Sequence, residues 1–238
     1  MLTIKQVEWS GLGNQLFILA AGESFAHKTG HAFYISKSKT PYNPHSSTNY
    51  YTTLLKNWTP FVIERTPGVL YKNPSLEDQL PNDVTIDGFF QDWKIVEPIR
   101  KQFIERLSFN TDILKKYPDI SECVFVHIRG GDYLTWNGFV DLRQYYEKCL
   151  SLIQDKIVVF TNDIRYAKMI LTDPFEYIVE NEEDTLYLMS KCKGCICANS
   201  TFSWWGAYLN PDRQIFIPSK WSNDTSYYSF PGTTIVDV

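Results

Sequence analysis

The chain has 238 residues, 44% of them hydrophobic and 16% aromatic, with a formal net charge of −4. That is enough apolar material for one large domain or two smaller ones, and the mixed charge argues against a dedicated nucleic-acid binder. No stretch approaches the roughly 18 apolar residues that a membrane helix needs.

The start does not read as a signal peptide, because Lys5 and Glu8 interrupt it and the apolar run 16–21 is short. "LTIKQVEW" (2–9) alternates as a strand does, "SGLGNQ" (10–15) is a glycine turn, and "LFILAAGESFAHKT" (16–29) has helical apolar faces. Gly30 stops that helix before a second strand, "HAFYIS" (31–36). Such a β-loop-α-β unit builds parallel sheets. Residues 36–60 are polar, proline-punctuated and rich in tyrosine, an irregular excursion from the sheet. Tyr42, Tyr50 and Tyr51 within it are candidates for stacking on sugar, against the plainer reading of a solvated loop. "DVTIDGFFQDWKIV" (83–96) gives a strand and a turn. A helix from Pro98 places Ile99, Phe103 and Leu107 on one face, and "NTDILKKYPD" (110–119) reads as a boundary.

The second half is more regular. Strands are predicted at 123–128, 156–161, 175–180, 194–200 and 214–218, with helices at 141–154, 163–171, 183–192 and 202–209 between them. This alternation predicts a doubly wound α/β domain over about 119–218. The expected architecture is α/β, two Rossmann-like doubly wound domains facing a cleft, with residues 1–118 in the first and 119–238 in the second.

In such sheets ligands bind beyond the carboxyl ends of the strands. "SGLGNQ" sits at one such end with Asn14 and Gln15 opening a helix, but Leu16 breaks the dinucleotide fingerprint. "HIRGGDY" (127–133) follows another: Arg129 offers a planar fork to phosphate oxygens, and Gly130 and Gly131 let backbone amides approach a ligand. The alternative is a surface ion pair between Arg129 and Asp132. His127 points into the strand, as a structural or a substrate-binding residue. "FTND" (160–163) presents Asn162 and Asp163, either as ligand contacts or as helix caps. "ANSTFSWWGAYLN" (198–210) brings Asn199, Ser200, Thr201 and Phe202 to a helix start suited to anions, with Trp204 and Trp205 as core or pocket wall. Asp184 caps the preceding helix or reads a base. Cys192, Cys195 and Cys197 tempt a zinc reading, but no second Cys/His pair supports it, and their alternation fits core packing. Five cysteines, an odd number, make a reducing cytosol the simplest setting.

"GLGNQLF", "GFFQDW", "VHIRGGDYL", "VVFTNDIRYAK", "LYLMSKCKGCICANSTFSWWGAYLN" and the closing "IFIPSKW" resemble, in this order, the motifs of glycosyltransferase family 11. These are the alpha-1,2-fucosyltransferases of bacteria and animals. The resemblance implies a GT-B arrangement, GDP-fucose as donor, an inverting displacement and no catalytic metal or other cofactor. Carried over by position, it implies that Arg129 holds the donor diphosphate, with Ser200, Thr201 and Phe202 along the same phosphates. It implies that Asp184 reads guanine and that Asn14 and Gln15 come from the other domain, near the transferred sugar. Gly130 departs from the family pattern, where a second arginine is usual, and Ser10 and Gly11 replace a common arginine-containing turn. Asp132 is the first candidate for general base and Asp92 the second.

The expected activity moves L-fucose from GDP-fucose to a glycan hydroxyl, galactose O2 being the position that the family implies. The alternatives are a transferase of another GDP-sugar and a non-catalytic nucleotide-sugar or glycan-binding protein, which would bind GDP without turnover. No GxxxxGK[ST] occurs, which excludes a P-loop enzyme.

Overall fold

The computed structural model describes residues 1–6, 10–36, 49–64, 68–172, 174–223 and 225–238. The chain divides into two compact units, Met1–Phe109 and Asn110–Val238, so residues 110–118 pack with the second.

Unit 1 is built on strands β1 (Leu2–Lys5), β2 (Phe33–Ser36), β3 (Val62–Ile63), β4 (Val69–Lys72) and β5 (Val84–Asp87). They form one parallel sheet ordered β3-β2-β1-β5-β4. Helix α1 (Leu12–Thr29) connects β1 to β2 and is buried over most of its length. It begins four residues before the predicted start: Gly11 is an extended N-cap and Gly13 lies inside the first turn. Helices α2 (Trp93–Val96) and α3 (Arg100–Arg106) complete the unit, with Phe103 against Trp58 at 5.2 Å between ring centroids. In the tyrosine-rich excursion the described residues 49–60 depart from both readings at two tyrosines. Tyr50 and Tyr51 are only 2% and 7% exposed, both within a tight 3₁₀ turn, so neither offers a ring face to a sugar or stands in solvent. Tyr42 lies outside the described residues.

Unit 2 opens with α4 (Ile113–Lys116). Its strands are β6 (Cys123–Ile128), β7 (Lys156–Thr161), β8 (Glu176–Ile178), β9 (Gly194–Ile196) and β10 (Gln214–Pro218). A short antiparallel pair follows, β11 (Lys220–Ser222) with β12 (Thr225–Ser226), and β13 (Thr233–Val236) returns as an edge strand. Helices α5 (Arg143–Leu150), α6 (Ile164–Ile170), α7 (Glu182–Lys191) and α8 (Thr201–Tyr208) connect them. The parallel sheet is ordered β13-β10-β9-β6-β7-β8. In chain order that is the 3-2-1-4-5-6 arrangement of dinucleotide-binding sheets, whose winding reverses between the first and fourth strands. Here these are β6 and β9, and every residue of β6 is buried, as a central parallel strand requires.

Both sheets are parallel and helix-flanked, the α/β class expected from the sequence. All five cysteines are buried free thiols. Burial raises the pKa of Cys192 and Cys197, and that of Cys149 to about 12. Among the described residues no three His, Cys, Asp or Glu side chains group to hold a metal ion, so Cys192, Cys195 and Cys197 are core. No helix among them is long and apolar enough to cross a membrane.

Candidate functional site

In unit 2 the winding reversal places the exits of β6 and β9 side by side, and most of the sequence-selected residues converge there. Arg129 leaves β6 with its Nη2 2.6 Å from Asp132 Oδ1, so the ion pair anticipated as the alternative is formed. Gly131 follows at φ +63, a left-handed conformation that favours glycine. Gly130 has no room for a side chain: a Cβ would lie 2.7 Å from the Cβ of Asp163 and 3.1 Å from the Tyr166 ring. That contact explains why a second arginine is not accommodated at this position.

Asn162 and Asp163 brace the corner from the end of β7. Gly130 N–H donates to Asn162 Oδ1 at 2.9 Å, and Asn162 Nδ2 donates back to the Gly130 carbonyl at 3.1 Å. Asp163 accepts from Gly131 N–H at 3.3 Å and caps α6 by accepting from Tyr166 N–H at 3.0 Å. The polar groups of "FTND" therefore shape the turn that carries Arg129.

His127 is 4% exposed, and burial, then the Arg129 charge, push its imidazole down to about 3. It is neutral over the working pH range, and among the described residues its Nδ1 has no partner. Its ring lies 5.8 Å from that of Phe202, which ties the end of β6 to the first turn of α8.

At the exit of β9, buried Asn199 donates through Nδ2 to the Trp221 carbonyl at 2.9 Å and to the Tyr133 hydroxyl. That hydroxyl also accepts from Val140 N–H at 3.1 Å. Tyr133 thus links the loop after β6 to the loop after β9. The sequence reading passed over it, because the link joins residues 66 positions apart and no spacing signals it. Ser200 caps α8, its Oγ accepting from Phe202 N–H at 3.3 Å. The first turn of α8 contains no acid, and Ser200, Thr201 and Phe202 are half-buried. Behind it Trp204 and Trp205 are 1% and 0% exposed, with Trp204 stacked on Tyr208 at 4.5 Å. They are core.

Asp184 lies beyond β8, two strands from β6, and is buried. Its N–H donates to the cap residue Asn181 at 2.8 Å; its carboxylate accepts from Asn181 Nδ2 at 2.7 Å and Asn110 Nδ2 at 3.3 Å. The cap of α7 is therefore Asn181 and not Asp184, whose carboxylate is held on two sides by amides.

Unit 1 has its own winding reversal, between β1 and β5. Gln15 is 3% exposed; it donates to the Ser10 carbonyl at 2.8 Å and accepts from Gln6 at 3.3 Å, so it braces the β1–α1 turn. Asn14 is half-buried and accepts from Gln91 Nε2 at 2.8 Å. Asp92 caps α2 by accepting from Lys94 N–H at 2.9 Å.

Among solved structures, fucosyltransferase NodZ from Bradyrhizobium is similar with a TM-score of 0.60 at 15% identity, covering 88% of this chain and 93% of that one. A NodZ alpha-1,6-fucosyltransferase co-crystallised with GDP superposes with a TM-score of 0.58 at 14% identity, over 88% and 92% of the two chains. The fold is therefore GT-B-like. In sequence, the chain is 33% identical over 172 residues to the O-antigen biosynthesis glycosyltransferase WbnK of Escherichia coli, covering 60% of this chain and 57% of the relative. It is 31% identical over 182 residues to an alpha-1,2-colitosyltransferase of Escherichia coli, covering 65% and 62%. The chain thus spans about three fifths of the length of these relatives. Residues 86–229, which carry the whole corner after β6 and the start of α8, match glycosyl transferase family 11, and the chain belongs to that family.

Proposed function

We propose that the protein is an inverting transferase that moves L-fucose from GDP-fucose to a glycan hydroxyl, galactose O2 being the expected position. The observation that carries this reading is the convergence at one winding reversal of Arg129, the glycine corner and the acid-free start of α8. Each suits a diphosphate: a permanent cation, room for backbone amides, and a helix N-terminus.

In the proposed reaction the bond from the sugar to the β-phosphate stretches, the ring gains oxocarbenium character and the phosphate gains charge. Arg129 exchanges Asp132 for the diphosphate, and the N–H group of Thr201 at the start of α8 stabilises the departing oxygens. Donors of this kind contribute about 2.7–4 kcal/mol each. The acceptor hydroxyl attacks the opposite face, so configuration inverts from β to α. Release of Asp132 from Arg129 frees a carboxylate to take the hydroxyl proton, which keeps Asp132 ahead of Asp92, exposed as a cap. Asp184, held by Asn110 and Asn181, is the proposed reader of guanine. His127, Asn162, Asp163 and Asn199 act as the walls and braces of the donor seat. Cation and amides would replace a divalent ion at the diphosphate, so activity in a chelator is expected.

Because a relative is a colitosyltransferase, the second reading is the same chemistry with a different GDP-linked sugar. The test is to incubate the protein with GDP-fucose and galactose-terminated acceptors in EDTA, beside Arg129→Ala. A fucosylated product that disappears in the variant supports the proposal. Binding of another GDP-sugar but not GDP-fucose would move the assignment to the second reading.

A further inference from the structure

The motif "GFFQDW" (88–93) takes no part in the donor seat. It occupies the exit of β5, beside the exit of β1, at the winding reversal of unit 1. Phe90 has φ +50, an uncommon conformation for an aromatic residue and one that marks functional sites. Its ring is buried edge-on against Phe25 at 5.9 Å, while Phe89, one residue earlier, is 40% exposed. One residue later, Gln91 returns to bond Asn14 at 2.8 Å.

That single bond leaves Gln91 Oε1 as an acceptor and Asn14 Nδ2 as a double donor, and among the described residues neither makes another hydrogen bond. Lys5 at the end of β1 is paired with Asp87 at the end of β5, Nζ to Oδ2 at 3.1 Å. The exit of β5 therefore offers a partly exposed aromatic ring, one open acceptor and open amide donors. A neutral ring carrying hydroxyls on one edge and C–H groups on one face fits each element.

We propose that Phe89, Gln91 and Asn14 form a subsite for a neutral sugar ring, Phe89 beneath its apolar face and the two amides on adjacent hydroxyls. The identification of that sugar as part of the acceptor rests on the transferase reading; the sugar-binding chemistry does not.

The test uses the full chain. Saturation-transfer NMR with methyl β-galactoside, methyl β-glucoside and lactose is run beside calorimetric titration of GDP. At least one probe is expected to bind the unaltered protein. Phe89→Ala and Gln91→Ala are each expected to weaken it about tenfold, equivalent to about 1.4 kcal/mol, with GDP affinity kept within about twofold. Binding of no probe overturns the proposal, as does a probe indifferent to both variants. If the probes respond as expected but GDP does not bind, the donor assignment fails and the sugar subsite stands.

Discussion

Helices α7 and α8 follow successive strands of one sheet, yet their amino ends are opposite in kind. The first turn of α7 holds Glu182, Glu183 and Asp184, with Asn181 as cap. The positive end of that helix is answered by acids of its own. The first turn of α8 has no acid and a serine cap that takes Phe202 N–H, so its dipole is answered by no charge of its own. Two helix starts at one sheet edge thus divide the work. One is sealed and holds a buried carboxylate; the other, beside the arginine delivered by β6, is the end that the proposed function gives to an anion.

Several substitutions would break or sharpen that contrast. Arg129→Ala should act most strongly, removing the cation beside α8: a loss of about 2.7–4 kcal/mol in transition-state stabilisation, read as a fall in kcat/KM for transfer. Thr201→Asp would make α8 resemble α7 by placing an acid in its first turn. A like charge near the diphosphate should lower GDP affinity by about 2–3 kcal/mol, measured by calorimetry, with the melting temperature held or raised.

The imidazole of His127 packs against α8 and is depressed to about 3. Its folded value lies below the unfolded value of about 6.5, so the unfolded chain binds the proton more tightly. The stability that neutral His127 contributes is complete above about pH 6.5 and is lost as pH falls toward 3. Between pH 6 and 4 this should cost about 2 kcal/mol in denaturant unfolding, and His127→Leu should remove that slope. The smallest effect is expected from Asn181→Ala, which removes the α7 cap and one holder of Asp184. It should cost about 1 kcal/mol of stability and weaken the preference for GDP over ADP while sparing the response to Thr201→Asp.

Much of unit 2 was legible in sequence. The strands 123–128, 156–161 and 214–218 agree with the predicted limits, because buried parallel strands are continuous apolar runs bounded by polar turns. The edge strands β4 and β13 carry no such run: every residue of β4 is exposed, and local pattern does not mark a strand whose position depends on its partner. Helix α1 was read four residues short, since its two early glycines signal a turn although one of them caps the helix and the other lies within it. Arg129 and the start of α8 were visible as chemistry at strand ends. The bracing roles of Asn162, Asp163 and Asn199 were not, because their partners lie 20 to 70 residues away along the chain and are fixed by sheet order alone. Gln15 shows the converse: a polar residue in a suggestive turn that the turn itself consumes.

The proposed donor seat straddles the place in unit 2 where Val124 must find Gly194 across the intervening strands and helices. Pairing of β6 with β9 is a non-local event, which a chain reaches late and loses early. Arg129 belongs to one side of that seam and Ser200 to the other. In the proposed function a nucleotide diphosphate gripping both would act as a staple on the longest-range strand pairing of the unit. At a hundred times its dissociation constant it would add about 2.7 kcal/mol against unfolding, so under the proposed function the supply of donor would also govern how long the folded chain lasts.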